Sequence, residues 1–208
     1  MTTGSTTKAG RRSGGGWTAE RMADQQGRTF VVTGATSGLG LVTARELAAR
    51  GGRVLLAVRD AARGDEVASS LRRAYPGAEV EVRQVDLLNL RSIRRAAEEI
   101  GEEEAVDVLI NNAGISMVEH SVTEQGAERH FAANHLGHFA LTALLEPALR
   151  RSPAPRVVTR GPSTGPCRSS RRVWALPSAA SKHRRRTGGD AKRLWSVSER
   201  GTCVRSAR

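Results

Sequence analysis

The chain has 208 residues, 38% apolar and only 3% aromatic, enough for one α/β domain whose core is built from Val, Leu, Ala and Ile. No run approaches the roughly 18 apolar residues that cross a bilayer. Residues 1–16 are rich in Thr, Gly, Ser and Arg, unlike a secretory signal. The net charge of +12 suggests nucleic acid until it is located. Residues 1–150 hold 18 Lys/Arg against 19 Asp/Glu, and residues 151–208 hold 15 against 2. The first part is electrostatically ordinary and the excess is confined to the second. Cys167 and Cys203 stand far apart in no metal-ligand spacing, as expected of free thiols in a reducing cytoplasm.

Residues 1–27 read as a flexible leader. Thr29 to Thr33 is an apolar strand, followed by Thr33-Gly34-Ala35-Thr36-Ser37-Gly38-Leu39-Gly40 and a helix from Gly38 to Arg50. Strand, glycine-rich turn and helix form a context that binds phosphate. Gly34 lets the chain leave the strand in a conformation that side chains resist. Gly38 and Gly40 admit a pyrophosphate to the backbone and let the helix sit close to the sheet. The helix amides and dipole then face the anion. Arg53 to Val58 is near-continuously apolar, as a strand buried on both faces should be. Asp60 caps a helix that runs to about Ala74 and ends at Tyr75-Pro76-Gly77. Glu79 to Val85 alternates in polarity and reads as a more exposed strand. Asn89 to Ile100 is a helix with Leu90, Ile93, Ala97 and Ile100 on one face. Val106 to Ile110 is a fourth strand, Glu124 to Arg150 one long helix, and Pro155 to Thr159 starts a fifth strand. Such alternation predicts parallel βαβ units with right-handed crossovers. The fold class is therefore α/β, a Rossmann-like doubly wound sheet of about five strands. Residues 28–159 form the domain, and 160–189, with many Pro, Ser, Gly and Arg, show no periodicity and read as disordered.

Several motifs in order carry a family resemblance: Trp17-Thr18-Ala19, the turn Thr33 to Gly40, Leu56-Ala57-Val58-Arg59-Asp60, Asp86-Leu87, Asn111-Asn112-Ala113-Gly114, and Asn134-His135-Leu136-Gly137-His138-Phe139. With these, residues 17–159 resemble the short-chain dehydrogenase/reductases, nearest the retinol dehydrogenase and WW-domain-oxidoreductase branch. The resemblance implies hydride transfer between a nicotinamide and the carbon of a small-molecule carbonyl or alcohol substrate. It implies nucleotide contacts from Thr33, Gly34, Thr36, Ser37, Gly38, Leu39, Gly40, Asp86, Leu87, Asn112, Ala113 and Gly114. Asp86 would accept from the adenine amino group, and the Asn111 to Gly114 stretch would floor the adenosine ribose and stabilise the central strands. Arg59 stands where an acid would bind a ribose 2′-hydroxyl, and no acid stands at Ala57 or Val58. An Arg there suits a 2′-phosphate, which favours NADP(H) over NAD(H). A merely solvated Arg stays open as the alternative. The resemblance, in which this helix forms dimers, implies that the helix 124–150 can pair with another copy or an intact relative. Neither nucleic acid nor a membrane span enters this reading.

The family's proton chemistry uses a Tyr with a Lys four residues on, a Ser that orients the substrate oxygen, and an Asn that completes a relay through water. Asn134 matches the last. His135 and His138 read as structural. The one tyrosine is Tyr75, in a turn where it cannot serve. Ser163 is displaced from the family's Ser by Arg160-Gly161-Pro162. Ser178-Ala179-Ala180-Ser181-Lys182 resembles Tyr-x-x-Ser-Lys with Ser for Tyr, and Lys182 is a weak candidate on that basis alone. Residues 190–208 contain Asp190 to Arg200, which resembles the last helix of the branch. An internal deletion with a shifted frame over 160–189 would account for this pattern. The expected consequences are an exposed fifth strand, a missing substrate half and impaired turnover. The alternative is a nucleotide-binding half-domain with a basic tail that meets acidic partners.

Overall fold

The computed structural model describes residues 18–160 and the backbone strands 171–175 and 196–197. Five strands run parallel: β1 (Thr29–Thr33), β2 (Arg53–Val58), β3 (Val80–Gln84), β4 (Val108–Asn111) and β5 (Arg156–Arg160). The sheet order is β3-β2-β1-β4-β5, continued by β6 (Arg171–Ala175) and β7 (Ser196–Val197). The order reverses between β1 and β4, which is where an open α/β sheet leaves a crevice beyond its strand ends.

The strands at the centre are apolar on both faces, as parallel strands covered by helices must be. On one face Val31, Leu55, Leu109 and Val157 pack with Ile93, Ile100, Leu141 and Leu149. These helical residues belong to α3 (Leu90–Gly101), α5 (Gly137–Leu144) and α6 (Glu146–Arg151). On the other face Val32, Val54, Leu56 and Val58 pack with Ala44, Leu47, Ala68 and Leu71 from α1 (Gly38–Ala48) and α2 (Ala61–Ala74). Small residues on α1 bring that helix close to the sheet. Asp60 caps α2 by accepting from the Arg63 amide, and Asn89 caps α3 by accepting from Arg91 and Ser92.

Three expectations change. The leader is pinned from residue 18: a 3-10 turn spans Ala19–Arg21, and the Arg50 guanidinium donates to the carbonyls of Ala19 and Met22. The long helix 124–150 is divided. A turn closes at Gly126, Glu128 caps α4 (Arg129–Phe131), a π-helical turn spans Ala132–Leu136, α5 follows, and Pro147 sits in the first turn of α6. Strand β5 is not the edge, because β6 pairs with it antiparallel from Arg156↔Ala175 to Arg160↔Arg171. Val173 and Trp174 are strand formers, and antiparallel additions to a parallel sheet are common. Residues 161–170, 176–195 and 198–208 lie outside the described residues, and so do Cys167, Cys203 and most of the helix expected near 190–200; its residues Ser196–Val197 are strand β7, paired with β6.

A charged cluster closes the sheet opposite the crevice. Arg53 donates bidentately to Glu103 at 2.8 and 3.0 Å and reaches Glu79 and Glu81, while Arg83 bonds Glu81 and Glu103. The Arg53 guanidinium is held charged chiefly by its hydrogen bond to Glu103, against the opposing effect of burial. Burial pushes the Glu81 carboxyl up, but the hydrogen bonds from Arg83 and Arg53 outweigh it and hold the group below the usual range. Glu103 is the shared acceptor, and its side chain is 12% exposed. Glu103→Ala therefore leaves two half-buried guanidinium groups short of partners. It is expected to cost about 1–3 kcal/mol in urea unfolding, and an unchanged midpoint would contradict the assignment.

Candidate functional site

A cleft of about 480 Å³ opens beyond the ends of β1, β2 and β4, where the strand order reverses. Gly34, Thr36, Ser37, Gly38 and Leu39 form one wall, Arg59, Asp60 and Arg63 a second, and Asp86, Leu87 and Leu88 a third. Asn112, Ala113, Gly114 and Ile115 make its floor, and Arg160 closes it at the β5 side.

The glycines have separate physical reasons. Gly34 has φ +65, and a Cβ there would stand 2.9 Å from Ala113 Cα. A side chain would therefore be strained and would push the turn off the floor. Gly40 packs so closely that a Cβ would collide with the Gly34 carbonyl oxygen and come within 2.5 Å of Asn112 Nδ2. Turn, floor and the first turn of α1 are thus one close-packed unit.

Thr33 and Gly40, expected among the nucleotide contacts, do not line the cleft; they hold it from below. The buried Thr33 hydroxyl accepts from the amides of Asn112 and Ala113, both at 2.9 Å. Asn112 Nδ2 donates to the Thr33 carbonyl at 3.0 Å. Asn134, on the π-helical turn, uses its whole side-chain amide on Ile115: Oδ1 accepts from the Ile115 amide at 2.8 Å and Nδ2 donates to its carbonyl at 2.9 Å. The remaining nucleotide candidates, Thr36, Ser37, Gly38, Leu39, Arg59, Asp86, Leu87 and Gly114, all line the cleft. Asp86 Oδ1 accepts from the Leu88 amide at 3.0 Å, which fixes the carboxylate at the rim.

Sequence reasoning missed Arg63, Ile115 and Arg160. Arg59, Arg63 and Arg160 are exposed and make no side-chain hydrogen bond or ion pair among the described residues. Arg63 was findable, four residues after Arg59 and in the first turn of α2. The carboxylate of Asp60, the acid closest to Arg59 in sequence, is occupied as the α2 cap. Tyr75 ends α2 and packs on the core. It lies twelve residues beyond Arg63, about 18 Å along the helix axis, and is far from the cleft. Ser163 and Lys182 lie outside the described residues.

The segment that carries Asn134 is set by Glu128. Hydrogen bonds from the His130 and Phe131 amides, with a further one from the His130 ring, pull the Glu128 carboxyl down to about 2. Its ionised form therefore supports α4 above the ordinary carboxylate range, and the support is lost as pH falls through about 2. Glu128→Gln is expected to speed hydrogen exchange at the His130 and Phe131 amides at neutral pH and to leave β1 and β2 amides unchanged. Uniform acceleration, or none, would contradict this local role. Phe131 stacks on the ring of His135 at 5.2 Å. Burial pushes the His138 imidazole below the ordinary histidine range; the Asn134 carbonyl opposes that effect and the charge of His135 adds to it.

A parallel sheet with a glycine-cornered cleft at its reversal point defines a dinucleotide-binding domain of the Rossmann type. The family model described as short chain dehydrogenase matches residues 28–183, and the chain belongs to that family. The match runs past residue 159 and takes in Ser163 and Lys182. The chain is 48% identical to mouse retinol dehydrogenase 12 over 133 residues, which is 64% of this chain and 42% of the mouse protein. It is 47% identical to human retinol dehydrogenase 13, covering 64% of this chain and 40% of the human one. The chain thus spans less than half the length of these curated relatives. Among solved structures, an uncharacterized Mycobacterium paratuberculosis protein is 49% identical, with a TM-score of 0.58 over 64% of this chain and 47% of that one. A short-chain dehydrogenase from Sphingobium yanoikuyae in complex with NADPH is 31% identical, with a TM-score of 0.58 over 65% and 54% of the two chains.

Proposed function

We propose that this chain binds NADP(H) in the cleft and descends from oxidoreductases acting on a carbonyl or alcohol carbon, with little or no turnover of its own. The observation that carries the reading is the cleft itself: backbone packed too closely for a side chain at Gly34 and Gly40, beside the guanidinium groups of Arg59 and Arg63, which have no partner among the described residues. The first turn of α1 offers amides to a diphosphate. Arg59 and Arg63 hold a ribose 2′-phosphate, the amide end of α2 adding to their field. The position past the β2 tip where an acid would take a ribose hydroxyl is held by the cation Arg59, and the neighbouring Asp60 has one oxygen on the Arg63 amide, which favours NADP(H) over NAD(H). Asp86 accepts from the adenine amino group through the oxygen that Leu88 leaves free. Ala113 and Gly114 lie under the sugar.

When bound, the nicotinamide supplies hydride chemistry. Among the described residues, no tyrosine stands at the cleft to give a proton to a reacting oxygen. Tyr75 is remote, and Ser178, which precedes Lys182 by four residues as the family's Tyr does, is a far weaker acid than a phenol. Asn134 supports the floor through Ile115 and is a candidate relay member through its backbone carbonyl. Retinol is a substrate to try, since the similar curated proteins are named retinol dehydrogenases. Pairing of two copies belongs to the same reading, because Phe131, Leu136, Phe139 and Leu144 are exposed along the helical segment 129–151.

The purified chain should show saturable quenching of protein fluorescence by NADPH and negligible oxidation of retinol or reduction of simple aldehydes. No saturation up to millimolar NADPH would remove the nucleotide-binding reading. Sustained turnover would overturn the impaired-enzyme reading alone.

A further inference from the structure

The cleft floor is held at two points by residues from different elements. Thr33, at the end of β1, receives the amides of Asn112 and Ala113. Asn134, on the π-helical turn, grips both backbone groups of Ile115. One buried side chain touches both holders. His138 is 4% exposed; its Nδ1 lies 3.2 Å from the Asn134 carbonyl oxygen and its Nε2 lies 3.0 Å from Thr33 Oγ1.

The hydrogens can be assigned from valence. The Asn134 carbonyl can only accept, so Nδ1 carries the proton. In the neutral ring Nε2 is then an acceptor and Thr33 donates to it. Thr33 Oγ1 spends its accepting capacity on the two floor amides, so its single hydrogen is what His138 fixes. The Ile110 carbonyl at 3.3 Å is the poorer alternative for that hydrogen. Protonated Nε2 would face an oxygen with no lone pair to spare. Among the described residues, the ionisable neighbour whose charge acts on the ring is His135, from the π-helical turn.

We propose that His138, as the neutral Nδ1–H tautomer, is a positioning residue that couples the two ends of the 112–115 floor and so presets the cleft for a dinucleotide. It acts through Thr33 and Asn134 and touches no ligand. The functional consequence rests on the nucleotide-binding reading above; the structural coupling does not. A buried polar link of this kind specifies one arrangement among otherwise equivalent packings.

Three measurements on the full chain test it. Long-range 15N–1H spectra of the unliganded protein at neutral pH should show His138 with a protonated Nδ1 and an unprotonated Nε2. The opposite tautomer, or a charged ring, overturns the proposal. Hydrogen exchange at Asn112 and Ala113 should speed up about fivefold to tenfold in His138→Leu. His138→Gln, which places an amide oxygen near the Nε2 position, should restore most of that protection. Thr33→Val combined with His138→Leu should be no worse at these amides than Thr33→Val alone. Additive effects, or acceleration spread evenly over β1 and β4, overturn the coupling and leave His138 as core packing. Should His138→Leu fail to fold, the tautomer and the Thr33→Val exchange pattern still decide. NADPH affinity should follow the same order of variants. Unmodified chain that shows the tautomer and the protection but no NADPH binding removes the nucleotide reading and keeps the coupling.

Discussion

Gly40→Val is expected to lower the unfolding free energy by about 1–3 kcal/mol and to weaken NADPH about tenfold to a hundredfold. The reason is space. A Cβ at residue 40 meets the Gly34 carbonyl and the Asn112 amide nitrogen, and neither can retreat alone. Gly34 is pressed against Ala113, and Asn112 is bonded to Thr33. The floor and the turn must therefore separate, which alters the surface offered to a diphosphate. Gly77→Ala is the control. Nothing lies within 4 Å of a Cβ there, the residue lies outside the cleft, and the substitution bears only the strain of φ +87, about 1–2 kcal/mol, without parting turn from floor. Urea unfolding and NADPH titration of both variants separate close approach from backbone strain. Equal binding losses would mean that close packing at Gly40 is not what shapes the cleft.

Arg59→Ala should weaken NADPH by about tenfold to a hundredfold while NADH changes by less than about threefold. That range is the effect of one charge-assisted hydrogen bond to phosphate. Arg63→Ala should act in the same direction, and the double variant should bind the two nucleotides alike. Both side chains are exposed and unpaired among the described residues, so neither change should move the unfolding midpoint. Parallel losses for NADPH and NADH would place these arginines on the diphosphate or in general steering, and would remove the basis for a 2′-phosphate preference.

The legible part of this molecule is the part where local chemistry and tertiary structure agree. Strand β1, its glycine turn and α1 follow from a pattern in which each glycine has a steric duty. The near-continuous apolar run Arg53–Val58 announces a strand buried on both faces, and Asp60 announces the start of α2. The segment 124–150 misleads because most of its residues favour helix, and its interruptions come from elsewhere. The π-helical turn has no local signal in Ala132-Ala133-Asn134-His135-Leu136. It is fixed by what Asn134 and His138 bond across space, namely Ile115 and Thr33. Gly126 and Pro147 were visible signals for a later start and a break. His138 reads as structural from sequence, and its place between two holders of the cleft floor needs coordinates. Strand β6 was hidden by its composition, since Arg171-Arg172-Val173-Trp174-Ala175 carries little alternation and follows a stretch rich in Pro and Gly.

The most direct test of the account is 15N–1H mapping of the chain during titration with NADPH. The account predicts saturating shifts confined to Gly34 to Gly40, Arg59 to Arg63, Asp86 to Leu88 and Asn112 to Ile115, with smaller shifts in the first two groups when NADH replaces NADPH. Shifts centred on any other surface, or none at millimolar nucleotide, would contradict it.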